Sequence, residues 1–230
     1  MPEADVPMLA AMNISRRFGS AAVLDDVSLT LAAGTLTVLT GRNGSGKTTL
    51  VNCLTGFDLA YEGKVQFRGK PLGRMPADGR ARLGLVRTFQ YPHVFADLDV
   101  RDHIRLGRLA GLAAIGSYFA RWDNGVPAEI IEELELHALL DRRGFALSFG
   151  EMKVVNTARV LATGAPAILL DEPLASLHGH RRELVVRAIE RRRSAGCAVL
   201  VIEHEAPELM ASAEKLFELE GGTLNRRSLA

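Results

Sequence analysis

Cysteine is nearly absent: the 230 residues hold only Cys53 and Cys197. That excludes a disulfide-framed secreted scaffold and suits a reducing compartment. An excess of charge of one sign is missing too. Lys and Arg number 28 against 27 Asp and Glu, so the basic surplus of a nucleic-acid binder is not there. The run Arg191–Arg193 reads as the solvated, cationic end of a helix. Long apolar runs are also lacking. The uncharged stretches Leu109–Ala120 and Val160–Leu170 hold 12 and 11 residues, short of the ~18 that a spanning helix needs. The first residues, Met1-Pro2-Glu3-Ala4-Asp5, are acidic and do not have the layout of a signal peptide. What the chain does have is 47% hydrophobic residues, enough for a real core and too many for general disorder. At ~150 residues per domain, the length predicts one domain with an insertion.

The patterning divides the chain into thirds. Met8–Ile14, Val27–Leu31, Thr35–Thr40 and Lys64–Phe67 are short β-rich runs between turn residues, and Thr48–Thr55 reads as a helix. From about Tyr91 to Leu147 the chain is rich in Leu and Ala with Arg at helical intervals, and Pro127–Leu140 is predicted as one helix. In the last third, helices over Gly150–Ala162 and Arg181–Ser194 precede the apolar runs Ala167–Leu170 and Ala198–Ile202. Such runs are what strands of a buried parallel sheet look like. The expected architecture is α/β, a sheet covered on both faces with a helical insertion.

Gly41-Arg42-Asn43-Gly44-Ser45-Gly46-Lys47-Thr48 matches the phosphate-loop pattern G-x-x-x-x-G-K-[ST], a match that arises by accident in roughly one per few hundred chains of this composition. The glycines let successive N–H groups face an anion, Lys47 supplies charge to terminal phosphates, and the Thr48 hydroxyl suits Mg²⁺. The helix that opens at Thr48 and Thr49 points its positive end at the same place. A second acidic landmark follows in Ala167-Ile168-Leu169-Leu170-Asp171-Glu172-Pro173, a strand that ends in two carboxylates. Acids emerging there lie where parallel sheets bind ligands. Asp171 is the candidate for Mg²⁺, and Glu172 is the candidate to orient or deprotonate water.

In this order, the motifs resemble those of the ATP-binding subunits of ABC transporters over about Ala11 to Leu224. The resemblance implies a P-loop NTPase with a parallel-sheet core, an N-terminal antiparallel β-subdomain and an inserted helical subdomain. The domain would span 8–226, with the insertion at about 91–162 and short tails at 1–7 and 227–230. It implies that Phe18 meets adenine, and that Gln90, in Arg87-Thr88-Phe89-Gln90, touches Mg²⁺ and signals to a membrane subunit. Leu147-Ser148-Phe149-Gly150-Glu151 is similar to the family's signature sequence, where Ser148 and Gly150 would face the nucleotide of a second subunit. His204 matches the switch histidine.

Read one at a time, each of these residues also has an ordinary explanation. Phe18 is equally a strand-end aromatic, Gln90 a loop polar residue, Ser148-x-x-Glu151 a helix capping box, and His204 a strand-end histidine. Leu85–Gln90, Leu200–His204 and Phe149 are most similar to ATPases of branched-chain amino-acid and urea importers. Two positions depart from the family: Glu151 stands where Gln is usual, and His178 where Asp is usual. His178 and His180 lack a third ligand and make a poor metal site.

The expected activity is ATP hydrolysis, with ATP and Mg²⁺, that powers an importer of amino acids or similar small polar solutes. The subunit is expected to be peripheral on the cytoplasmic face of the membrane, bound to integral permease subunits. A second, different ATPase subunit is preferred over a second copy of this chain. The alternatives are an ABC-type ATPase of a soluble assembly complex and a nucleotide-dependent interaction subunit with low turnover.

Overall fold

The computed structural model describes residues 6–114, 125–204 and 206–228. Strands β1 (Leu9–Phe18) and β2 (Ala21–Leu31) form an antiparallel hairpin, with Phe18 opposite Ala21 and Leu9 opposite Leu31. The apolar runs predicted only Met8–Ile14 and Val27–Leu31. Backbone pairing carries the hairpin on to Phe18 and Ala21, and the apolar pattern misses this tip because it is polar or exposed and has no alternation to read. β3 (Leu36–Thr40) leaves this layer. β4 (Glu62–Phe67) and β5 (Lys70–Pro71) then complete a sheet of order β2-β1-β4-β5.

The second sheet adds β6 (Leu85–Arg87), β7 (Ala167–Asp171), β8 (Ala198–Ile202), β9 (Lys215–Glu220) and β10 (Thr223–Arg227), in the order β10-β9-β3-β8-β7-β6. Every neighbouring pair is parallel except β9 and β10. Because strand side chains alternate between faces, β7 and β8 feed two separate cores. Ala167, Leu169, Ala198, Leu200 and Ile202 pack with the first sheet and with helix α1 (Lys47–Thr55). Ile168, Leu170, Val199 and Val201 pack on the opposite side. Both faces are buried, as the uninterrupted apolar runs require.

That opposite layer is helical. It comprises α3 (Val100–Ala114), α4 (Ala128–Glu133), α5 (Phe149–Ala162) and α6 (Gly179–Ser194). Two further short helices are α2 (Ala77–Arg82) and α7 (Pro207–Ser212). The single helix expected over Pro127–Leu140 is not formed. α4 stops at Glu133, Glu135 takes a left-handed backbone (φ 49°), and a 3₁₀ turn covers His137–Leu139. Ile130, Ile131, Leu134, Leu136 and Leu140 are all still buried, so tertiary packing satisfies the apolar positions without one continuous helix. Where α3 crosses α5, a Cβ on Gly107 would lie 2.0 Å from the Arg159 carbonyl oxygen, so only glycine permits that approach. The uncharged stretch Leu109–Ala120 and the expected insertion at about 91–162 fall in part on residues 115–124, outside the described residues.

The C-terminal end of α1 rests on a buried cation. Arg80 is fully buried and donates to the carbonyls of Cys53 and Leu54 (both 2.8 Å), Met75 (2.9 Å) and Gly73 (3.1 Å) and to the Tyr61 hydroxyl (3.2 Å). Two of these carbonyls belong to the last turn of α1, where backbone acceptors lack partners and a positive charge is favourable. Arg80→Met is therefore expected to strand several buried carbonyls and lower stability by about 3 kcal/mol. The check is a fall in the urea midpoint at an unchanged slope, with Arg80→Lys in between.

Candidate nucleotide site

The loop 41–46 joins β3 to α1, and its last residue, Gly46, caps the helix with φ 104°, a backbone that favours glycine. A cleft of about 260 Å³ opens over the N-terminal end of α1, lined by Asn43–Thr49 and by Val23, Gln90, Asp171 and Glu172. Lys47 is buried, and its ammonium donates to the loop's own carbonyls, Gly41 (2.6 Å) and Arg42 (3.0 Å). Burial lowers its pKa, while Glu172 and Asp171 pull in the opposite direction. The Ser45 hydroxyl oxygen is buried and has no hydrogen-bond partner among the described residues. An orphaned hydroxyl, a buried ammonium and a helix N-terminus around one concavity form an anion site by their chemistry.

β7 delivers the two carboxylates into different environments. Asp171 is buried against Arg87, whose guanidinium lies 3.2 Å from it and also donates to the Asn52 side chain (2.6 Å). Burial raises the Asp171 pKa, and Arg87 partly offsets this. Thr88 adds an acceptor for the Asp171 backbone N–H (2.8 Å). Glu172 departs from strand geometry with φ 49°. Its carboxylate accepts from the Gln90 side-chain amide (3.0 Å) and lies 3.7 Å from His204 Nε2. Sequence reasoning placed Gln90, Glu172 and His204 in three separate motifs, and the fold brings them into contact. It did not single out Arg87, Asn52 or Lys153. The available signal was an arginine and a lysine set within otherwise apolar segments.

The remaining expected residues lie elsewhere. Phe18 ends β1, half exposed, with the Arg16 guanidinium 4.0 Å from its ring centre, and it does not line the cleft. Neither do Ser148 and Gly150. Ser148 caps α5: its hydroxyl accepts from the Glu151 N–H (3.3 Å) and its own N–H donates to the Glu151 carboxylate (2.8 Å). Arg142 (2.9 Å) and Arg181 (3.2 Å) pair with the same carboxylate. Burial alone would raise the Glu151 pKa, but the Ser148 donors and Arg142 outweigh it and hold the group at about 2. Glu151 thus serves the helix end as a carboxylate, its Oε1 shared by the two arginines and its Oε2 accepting from Ser148. His178 is exposed at the N-cap of α6 and makes no capping bond.

Glu203, next to His204, is buried and accepts from the Leu174 N–H (2.7 Å), which ties the histidine segment to the turn after Glu172. Burial pushes its pKa up to about 7. A carboxyl raised in the folded state binds more protons than the unfolded chain between pH ~4.5 and ~7, so its contribution to stability falls as pH rises through that window. Glu203→Gln is expected to remove about 3 kcal/mol of this pH dependence. Denaturant midpoints measured at pH 5 and pH 8 check it, and the wild type should lose more stability between them than the variant.

Comparison with known proteins agrees with this geometry. The family model described as ABC transporter matches residues 24–175, more than half of the chain. A probable branched-chain amino acid transport ATP-binding protein, LivG, of Methanocaldococcus jannaschii is 31% identical, covering 94% of this chain and 88% of its own length. A nucleotide-free ATP-binding cassette from an ABC transporter superposes with TM-score 0.82 at 29% identity, over 97% of this chain and 92% of that one. An ABC transporter cassette in its ADP conformation gives 0.78 at 29% identity, over 95% and 89%. With a phosphate loop and a carboxylate pair over one cleft, a histidine beside one of those carboxylates, and these likenesses along nearly its whole length, the chain belongs to the ABC transporter family, as an ATP-binding subunit and ATPase that powers a membrane transporter.

Proposed function

We propose that this subunit hydrolyses MgATP at the Lys47–Glu172 cleft to drive import of amino acids or similar small polar solutes. The observation that carries the site is the buried, unpartnered Ser45 hydroxyl beside the Lys47 ammonium at the start of α1, which suits a polyphosphate. The solute class rests on likeness to a branched-chain amino acid transport protein.

Thr48, Gln90 and Asp171 supply the hard oxygen donors that suit Mg²⁺. A single carboxylate is enough, because that ion completes its shell with water and phosphate oxygens. When bound, the ion neutralises phosphate charge. Lys47 and the backbone N–H groups of 43–49 hold the phosphates, and Gly41 and Arg42 supply the carbonyls on which the ammonium now rests. Glu172 orients and deprotonates the attacking water, with Gln90 and His204 steadying its carboxylate. Phe18 offers a ring to adenine at the end of β1. Ser148 and Gly150, outside the cleft of their own chain, face the nucleotide of a second ATPase subunit.

The permease contact falls on an apolar groove of about 690 Å³ lined by Phe57, Phe89, Phe95, Leu106 and Gly107 among others. Phe89 precedes Gln90, so a permease helix seated there touches the loop that reads the nucleotide. Phe57 and Phe95 are 55% and 57% exposed, more apolar surface than a face left in water favours. On this reading the subunit sits on the cytoplasmic face, peripheral to its permeases. Among the described residues no helix is long and apolar enough to cross a membrane.

Lys47→Ala is expected to weaken ATP binding roughly a hundredfold, about 3 kcal/mol. Glu172→Gln should leave binding intact and lower turnover at least ~100-fold. Titration with a fluorescent ATP analogue and a phosphate-release assay separate the two effects; normal turnover in Glu172→Gln would exclude this carboxylate as the base.

The working pair is a heteromer. His178, exposed at the N-cap of α6, replaces an anionic acceptor with a ring that adds repulsion when protonated, and a symmetric pair would repeat it on both sides. In sedimentation with excess MgATP, Glu172→Gln protein alone should remain monomeric and should associate when a second ATPase subunit is added. A tight ATP-dependent homodimer would defeat the heteromer.

A further inference from the structure

Lys153 lies within the first half of α5 and is buried, 3% exposed. Its ammonium donates to the carbonyl oxygen of Gln90 at 2.6 Å and to that of Glu172 at 3.0 Å. These are the two residues whose side chains meet over the cleft, and the atoms that Lys153 holds are their backbones. Phe149, one turn earlier, presents its ring 5.7 Å from the same ammonium. Among the described residues no carboxylate comes within ion-pair distance of Lys153, although Glu172, Glu203 and Asp171 all act on its charge from further away.

Glu172 needs such a partner. Its φ of 49° is a left-handed conformation that a side-chain-bearing residue adopts only when its surroundings over-determine it. The peptide N–H of Glu172 is fixed by the Ile202 carbonyl at 2.9 Å, and its carbonyl is fixed by Lys153. With both ends of the residue held, the carboxylate is aimed at the Gln90 amide and at His204. Gln90 itself lies three residues past the end of β6, beyond the last pairing of that strand at the Thr88 N–H, so the Lys153 bond replaces secondary structure there.

We infer that Lys153 is a positioning residue for hydrolysis: one buried ammonium on the helix that carries Ser148 locks the backbones of Gln90 and Glu172, so that the catalytic carboxylate is placed before ATP arrives. The inference rests on the assignment of Glu172 as the base.

The test compares Lys153→Met, Lys153→Arg and Lys153→Gln with wild type and Glu172→Gln, all purified with the partners that this chain co-purifies with. Turnover of MgATP and the affinity for a fluorescent ATP analogue are the readouts. Lys153→Met should lower kcat roughly 10- to 100-fold, the scale of a misplaced reacting group. ATP affinity should stay within about threefold. Lys153→Arg, which can donate to both carbonyls, should recover most of the loss.

A Lys153→Met kcat within twofold of wild type overturns the inference, as does a loss that Arg does not recover or that appears equally in ATP affinity. Should Lys153→Met fail to fold, Lys153→Gln keeps a shorter amide N–H donor group without the charge: reduced kcat with unchanged affinity supports the inference, and wild-type kcat overturns it. A wild type without turnover, or an active Glu172→Gln, defeats the hydrolysis reading itself and is distinguished from failure of the Lys153 role.

Discussion

Charge buried at the C-terminal ends of β7 and β8 is the constraint around which this molecule is arranged. Asp171, Glu172 and Glu203 emerge within a few residues of strand ends that are otherwise apolar, and a carboxylate in such a place is costly unless it is paired or hydrogen-bonded. Among the cations that answer them are Lys47 from α1, Arg87 from β6 and Lys153 from α5. Each has its pKa lowered by burial, with nearby carboxylates opposing the shift. The phosphate loop, the Gln90 loop and the helical layer are thereby drawn to one point by electrostatics that a purely apolar core does not provide.

Two of these cations are held by backbone carbonyls instead of by carboxylates. Lys47 rests on Gly41 and Arg42, and Lys153 on Gln90 and Glu172. Carbonyl dipoles satisfy an ammonium without cancelling its charge, so Lys47 retains its attraction for an arriving phosphate. Arg87, by contrast, is committed to Asp171 and Asn52. The contrast explains why a lysine serves in the loop and an arginine in the strand: the planar fork makes fixed bonds, while the ammonium can redirect its donors.

The parts legible in the sequence were those with local rules. The spacing of Gly41, Gly46, Lys47 and Thr48 stands out against composition, and Asp171-Glu172 ends a run too apolar to be anything but buried. Ser148-x-x-Glu151 announced its capping box, which the structure forms. What escaped depended on distance. β6, β9 and β10 carry no pattern that a short window can detect; β6 is three residues long, and β9 is only partly buried. The break of the Pro127–Leu140 helix at Glu135 has no proline or glycine to signal it. Lys153 looked like one more residue of an amphipathic helix, because its two acceptors lie 63 and 19 residues away. The adenine role of Phe18 rests on likeness, and the folded chain adds only that the Arg16 guanidinium lies 4.0 Å from its ring centre.

The odd–even split of β7 and β8 into two cores has a consequence for how such a subunit can change over generations. One set of side chains faces α1 and the antiparallel sheet, while the interleaved set faces the helices that border the apolar groove. Since neighbouring positions on a strand belong to different compartments, a volume change at one position first meets neighbours of its own compartment. The apolar groove is different, because Thr55 of α1 and Leu85 of the α1 core line it together with Leu106 and Val160 of the helical layer. The sheet keeps the two cores apart, and the groove is the place where a change on one side is felt by the other.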